Sequence, residues 1–407
     1  MRKIYQLLAF VFFATFLFLG VTACSSEERK DLRRNGEDFF VSMDVTSLRA
    51  HGEDMEDPGT TDPNTDTELD EDKVQSLRWI LFPAGSDENT PAKFNHLFTA
   101  ADLQAKRFVL KFKSEDLGIY DMIFIANEPS GKGVDSPAVT RKQLREIKMD
   151  MENISASEVG SGKSALFLMT ANYENVSLNT SLPGSGTQTN PHRVDFTLQN
   201  KAQRPNIKGA DRSAVELMRA LAKMEITLKD IVTIEEDDTR AKTYSWSLPY
   251  GFEPNSSLEI RFKNMPNAYY LLPQKKMTDI PAQNYLYQFK FTGTNPDPKY
   301  VIAPPALEEP SIGGVVVGDY KIYVYLPEYL LGKNVEEEKQ PGLEFIYKAE
   351  GEADMRSEFR PIDNSGGTHY DKVLEGLDLG AYCIYRNRLY KVNVKIKGKI
   401  DIWPPYV

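Results

Sequence analysis

The feature that most restricts this chain is a recurrence of short segments in which apolar and polar residues alternate, separated by turns rich in Pro, Gly and Asn. Phe39, Val41, Met43 and Val45 alternate with Phe40, Ser42, Asp44 and Thr46. Side chains on a strand point to opposite faces with a period of two, so such a segment buries one face and wets the other. Tyr390, Val392, Val394 and Ile396 alternate in the same way with Lys391, Asn393, Lys395 and Lys397, and the parity continues past Gly398 to Ile400 and Ile402. The runs VQSLRWILF (74–82), RFVLKFK (107–113) and YDMIFIA (120–126) also read as strands, the first of them buried. Short strands are expected again at 166–170 and 194–198, and in a later β-rich region at 243–248, 258–262, 285–292, 320–326, 343–348 and 390–396. Such a series predicts a mainly β chain built as sandwiches, with short helical segments between strands. One helical stretch is expected near Gln143. A second is expected after Ser213, where Glu216 three residues on completes a capping box ahead of Leu217, Met218 and Leu221.

A chain of 407 residues exceeds one ordinary domain, and 41% hydrophobic residues supply enough apolar surface for two cores. Alternation at Met224, Ile226 and Leu228 reads as the last strand of a first domain, 39–234. The charged, β-poor stretch 235–242 reads as a linker to a second domain, 243–407. Residues 51–73 are acidic and rich in Pro and Thr, cannot offset their own ordering entropy, and are expected to form a mobile loop.

The first residues set the compartment. Arg2 and Lys3 precede an apolar run at 7–19, followed by Gly20, Val21, Thr22, Ala23 and Cys24. A basic start, a short apolar core and small residues before a cut site describe a secretory signal peptide, 1–23. The run falls short of the roughly 20 residues of a membrane span, and the polar SSEERKD that follows disfavours that alternative. VTAC resembles the bacterial lipobox, in which the cysteine is acylated and becomes the new N-terminus. Acyl chains such as palmitate contribute about 0.8 kcal/mol per buried CH₂, so several together hold a protein on a membrane. Residues 24–38 would form a charged tether, and Glu27 and Glu28 resemble the export tag of Bacteroides-type outer-membrane surface lipoproteins. With Cys24 lipidated, Cys383 has no intrachain partner and reads as an inert core thiol.

Signatures of chemistry are missing from the sequence. A formal charge of -10 leaves no basic excess for nucleic acid. GSGKS at 160–164 lacks the earlier glycine of a phosphate loop, where Ser157 stands. His51, His96, His192 and His369 are scattered, and Asp62, Asn64 and Asp66 begin a calcium-loop spacing that fails at Thr67 and Lys73. No GxSxG elbow occurs. The expectation is a non-enzyme without metal or cofactor.

Several pieces, in order, carry a resemblance: Cys24, TSLR (46–49), DKVQSLRWILF (72–82), YDMIFIANEP (120–129), ALFLMT (165–170) and LMRALAKMEITL (217–228). FKNMPNAYYLLP (262–273), YVYLPEYLL (323–331) and YRNRLYKVNVKIKG (385–398) extend it. Together they resemble the fimbrillins of Bacteroides-type bacteria, the FimA/Mfa-like type V pilins. The resemblance implies two transthyretin-like Greek-key β-sandwiches and a surface fimbrium that supports adhesion, with other fimbrial subunits as partners. It also implies a precursor cut after an arginine, which loses its anchor and first strand so that a neighbour's strand fills the groove. Arg49, followed by Ala50, is the candidate cut site, and Phe39, Val41, Met43 and Val45 lie on the strand removed; an ordinary surface arginine is the alternative. Tyr390, Val392, Val394 and Ile396 lie on the other candidate for exchange, or on a plain edge strand of their own domain. Pro404 and Pro405 cannot donate ladder bonds and suit a long donor arm poorly, which leaves tip and anchor roles open beside the stalk role. A surface glycan-binding lipoprotein is a further alternative and would need Trp79, Trp246 and Trp403 on an exposed platform.

Overall fold

The alternating segments pair into sheets whose strands come from distant parts of the chain. A computed structural model describes residues 38–47, 74–151, 167–194, 196, 214–237, 239–246, 258–291, 296–302, 315–348, 353–363, 376–397 and 399–406. The leader 1–23, Cys24, the tether up to residue 37, Arg49, Ala50, the acidic segment 51–73, GSGKS and Ser213 lie outside the described residues.

In chain order the strands are β1 (Asp38–Met43), β2 (Val45–Ser47), β3 (Leu77–Pro83), β4 (Phe94–Leu97), β5 (Phe108–Lys113), β6 (Gly118–Ala126) and β7 (Lys148–Asp150). Next come β8 (Met169–Leu178), β9 (His192–Arg193), β10 (Val215–Arg219), β11 (Leu221–Glu236), β12 (Lys242–Trp246), β13 (Leu258–Pro266) and β14 (Ala268–Tyr270). The remainder are β15 (Ala282–Phe291), β16 (Val301–Ile302), β17 (Val315–Pro327), β18 (Gly342–Lys348), β19 (Met355–Pro361), β20 (Leu389–Lys397) and β21 (Lys399–Tyr406). Helices α1 (Ala100–Ala105) and α2 (Arg141–Glu146) are single short pieces started by capping boxes, Thr99 with Asp102 and Thr140 with Gln143. The second is the helix expected near Gln143. The chain is mainly β, as its periodicity requires.

Two compact units result. The first takes residues 38–42 with Val109–Gly118 and Leu178–Val194, and holds a three-stranded sheet in the order β5-β1-β9. The second takes the described residues within Met43–Phe108, Ile119–Ser177 and Asp195–Val407.

In the second unit, one sheet runs β2-β10-β8-β6-β3-β4. Ile80, Phe82, Ile123 and Ile125 turn from β3 and β6 into a core with Leu144, Tyr269, Leu271 and Tyr325. On the alternate parity Trp79 stacks on Phe124 at 5.6 Å, and Phe124 meets Tyr173 and Phe196 edge-on. Both faces are covered, which is why WILF carries no alternation. A sandwich follows: the sheet β16-β17-β11-β20-β21, with β12 on β11, and the sheet β15-β13-β18-β19. Ile226, Tyr390 and Val394 of the former share one core with Phe262, Phe345 and Tyr347 of the latter.

Four sequence expectations are corrected. Residues 217–221 form no helical turn: Val215–Arg219 is strand β10, parallel to β2 and antiparallel to β8, with all five side chains buried. Ladder bonds and burial on both sides override a local capping signal. Met224, Ile226 and Leu228 do not close the N-terminal sheet; β11 pairs with β17 on one side and β20 on the other. The expected linker at 235–242 is a hairpin turn, since Glu236 sits opposite Lys242 and the Asp237 side chain accepts from the backbone of Thr239 and Ala241. Finally, the strand does not run on through Gly398: Lys397 sits opposite Lys399, and β21 folds back on β20. A hairpin restores the same parity, with Ile396 across from Ile400 and Val394 across from Ile402, so periodicity alone cannot separate the two.

Candidate strand-exchange site

Strand β1 lies in the middle of its sheet. Phe39 and Val41 are 1% and 0% exposed, while Phe40 and Ser42 are half-buried, as alternation requires. The Phe39 ring stacks on Phe112 of β5 at 5.5 Å and lies 6.4 Å from the His192 ring of β9. Pairing with β9 is parallel, with Val41 opposite His192 and Ser42 opposite Arg193. Phe40 N–H donates to the Gly186 carbonyl at 3.0 Å, and Val194 N–H to the Ser42 carbonyl at 2.9 Å. His192 is itself set by Nδ1, 2.9 Å from the Leu182 carbonyl oxygen. The turn that returns the chain to β9 needs Gly184: its φ is +106°, and a Cβ there would lie 2.2 Å from the Pro191 oxygen.

Charge fastens the start of the strand. Leu110 and Phe112 of β5 point inward, which leaves Lys111 and Lys113 on the other face, and both reach Asp38. Hydrogen bonds from these two ammonium groups hold the Asp38 carboxyl below the ordinary carboxylate range and push Lys113 up. After Asp44, Met43 already being buried, β2 lies parallel to β10 with Val45 opposite Val215; Val45 is half-buried.

Strand β20 presents the other candidate set. Tyr390, Val392, Val394 and Ile396 are all buried. It is not an edge: β11 runs parallel on one flank, from Lys223 opposite Leu389 to Leu228 opposite Val394, and β21 runs antiparallel on the other. The Tyr390 hydroxyl accepts from the Tyr385 N–H at 3.0 Å. The turn before the strand is pinned by Arg386, whose guanidinium meets Glu328 at 2.8 Å with both side chains almost fully buried. Lys395 pairs with Asp230, and burial lowers the Lys391 ammonium.

The remaining sequence candidates are spread apart. Cys383 is buried; its thiol donates to the Leu331 carbonyl oxygen at 3.3 Å, and burial raises it. Trp79 is 0% exposed, and Trp246 packs on Tyr320 at 4.8 Å and Phe291 at 5.4 Å, so these two build no exposed aromatic platform. The side chain of Trp403 lies outside the described residues. Among the described residues no group of three His, Cys, Asp or Glu is arranged to hold a metal ion. Sequence reading missed Asp38, His192 and the Glu328–Arg386 pair. Lys111 and Lys113 at i and i+2 signal a charged strand face, but their partner is more than 70 residues away, and nothing local connects them.

No family model and no curated protein matches the sequence. Solved structures that resemble the chain include fimbrial proteins and candidate adhesins. The tip fimbrial protein Mfa3 of Porphyromonas gingivalis, with a C-terminal truncation, is 17% identical, with 90% of this chain and 98% of that one covered and a TM-score of 0.49. A candidate cell adhesion protein of Parabacteroides distasonis is 10% identical, with coverage of 91% and 97% and a TM-score of 0.40. A candidate adhesin of Bacteroides thetaiotaomicron is 12% identical, with coverage of 91% and 97% and a TM-score of 0.40.

Proposed function

We propose that this chain is a subunit of a surface fimbrium, exported to the outer membrane as a lipoprotein through Cys24 and joined to other fimbrial subunits by exchange of a β-strand. The observation that carries this reading is the place of β1: it is central in its sheet, its apolar face is fully buried, and its neighbours β5 and β9 lie far along the chain. Cleavage after Arg49 would detach β1 and β2 from everything they pair with. Their loss would uncover two rows of main-chain donors and acceptors, one beside β5 and β9 and one beside β10, with pockets spaced for alternate side chains. A strand of similar pattern from another subunit would then complete the ladder. Adhesion is the expected outcome of such a fibre.

A second reading keeps the same fold and leaves Arg49 uncut, as a tip or membrane-anchored accessory protein. It is favoured by β20, which is bonded on both flanks, so Tyr390–Ile396 offers no free donor strand. N-terminal sequencing of the assembled surface form separates the two. A new start at Ala50 is expected for an exchanging subunit, and an acylated Cys24 within assembled material identifies an anchor. If no high-mass ladder forms with related subunits under any condition, the fimbrial reading fails in both forms.

A further inference from the structure

In the second unit a cavity of about 270 Å³ opens where the turn after β3, the middle of β6, helix α2, strand β8 and the loop after β14 meet. Its lining carries three acids and three bases, paired one to one. At the floor Arg141 meets Asp121, with both side chains largely buried, and its guanidinium also donates to the Ser86 hydroxyl at 2.9 Å. Nearer the rim Arg145 meets Glu88 at 3.3 Å and Lys275 meets Glu174 at 3.2 Å. Three buried polar atoms of lining residues, Asn172 Oδ1, Arg141 Nε and Arg145 Nε, make no hydrogen bond among the described residues. The first is an acceptor and the other two are donors.

We propose that this cavity binds a neutral saccharide unit and gives the protein a glycan-recognition site separate from strand exchange. The volume lies near the lower bound of roughly 300 Å³ for small-molecule pockets, which suits one sugar ring and little more. A net charge of zero, with every acid already matched, gives an anion or a cation no unpaired counter-charge unless an ion pair breaks. A hydroxyl-rich ligand meets no such penalty. Each hydroxyl both donates and accepts, so it can satisfy the orphan Asn172 oxygen and take further bonds from charged groups that keep their partners. Strand β6 lies between β8 and β3, and Asp121, Met122 and Ile123 pair with Phe82, Leu81 and Ile80, so this part of the lining offers side chains and no strand edge for a peptide to join. Apolar contact for the ring face comes from Leu272 and Pro273.

The test is a panel of immobilised neutral, sialylated and sulfated saccharides probed with the purified monomeric chain, followed by calorimetry with the neutral oligosaccharide best retained. The expected result is retention of neutral glycans, at least a tenfold loss of affinity in Asn172→Ala, and a severalfold loss in Lys275→Ala at the exposed rim, with melting temperatures unchanged. Failure to retain any neutral saccharide, a preference for the acidic ones, or undiminished binding in both variants overturns the proposal. Binding is read on the monomer, so failure of strand exchange does not touch it.

Discussion

Strands β1 and β20 carry the same alternation and bury it equally well, yet they are held by different means. β20 spans nine residues inside a sheet, parallel to the sixteen-residue β11 and covered by its own hairpin partner β21. Its entry turn is fixed by a buried ion pair, Glu328–Arg386. β1 spans six residues in a sheet of three, and its charged fastening, Asp38 with Lys111 and Lys113, stands in water. Exposed ion pairs contribute little to stability, whereas breaking a buried one leaves a charge stranded. The difference teaches that equal burial does not mean equal anchoring: β20 has a longer ladder and a buried charge pair, whereas β1 has a short ladder and an exposed one.

The comparison can be broken most directly at Glu328. Glu328→Ala strands the Arg386 guanidinium and is expected to cost about 3–5 kcal/mol of global stability, read from urea unfolding. A loss below 1 kcal/mol would mean that β20 is not anchored by this pair. Phe39→Ala should cost about 3 kcal/mol, at the low end for truncating a buried aromatic because a three-stranded sheet can relax. Its effect should be confined: hydrogen exchange quickens at the Phe40 and Val194 amides while β11 and β20 stay protected. Equal deprotection of both regions would show one cooperative block and end the distinction. Gly184→Ala combines a left-handed φ with a backbone collision and should cost about 2 kcal/mol, seen as faster exchange at Val194 without loss of the β20 ladder. The smallest effect belongs to Asp38. Its folded carboxyl titrates below its unfolded counterpart, so its contribution is complete above the unfolded value near pH 4 and disappears as pH falls through the lowered folded one. Docking of β1 should therefore weaken only in acid, and Asp38→Asn should flatten that dependence while leaving β20 unaffected. A pH dependence of β1 exchange that survives in Asp38→Asn would assign it to another group.

Legibility in the sequence followed the range of the interactions. The strands at 77–83, 108–113 and 118–126 and the helix at 141–146 were readable because periodicity and capping are local. Strand β10 was not, since Ser213 and Glu216 imitate a helix start and only the ladders with β2 and β8 decide against it. The same holds for β11, whose sheet is chosen by β17 and β20, the latter more than 150 residues downstream. Of the proposed exchange site, the inward residues Phe39, Val41 and Met43 were legible and the fastening at Lys111 and Lys113 was not.

By itself the sequence determined a mainly β chain and the parity of its strands, because side-chain alternation is a property of neighbouring residues. Tertiary structure alone decided that β1 is central, that β20 is enclosed by β11 and a hairpin, and that Asp121, Arg141 and Asn172 share one cavity. Those outcomes depend on which distant ladders satisfy backbone hydrogen bonds and which charges end up dry, and pattern along the chain is silent on both.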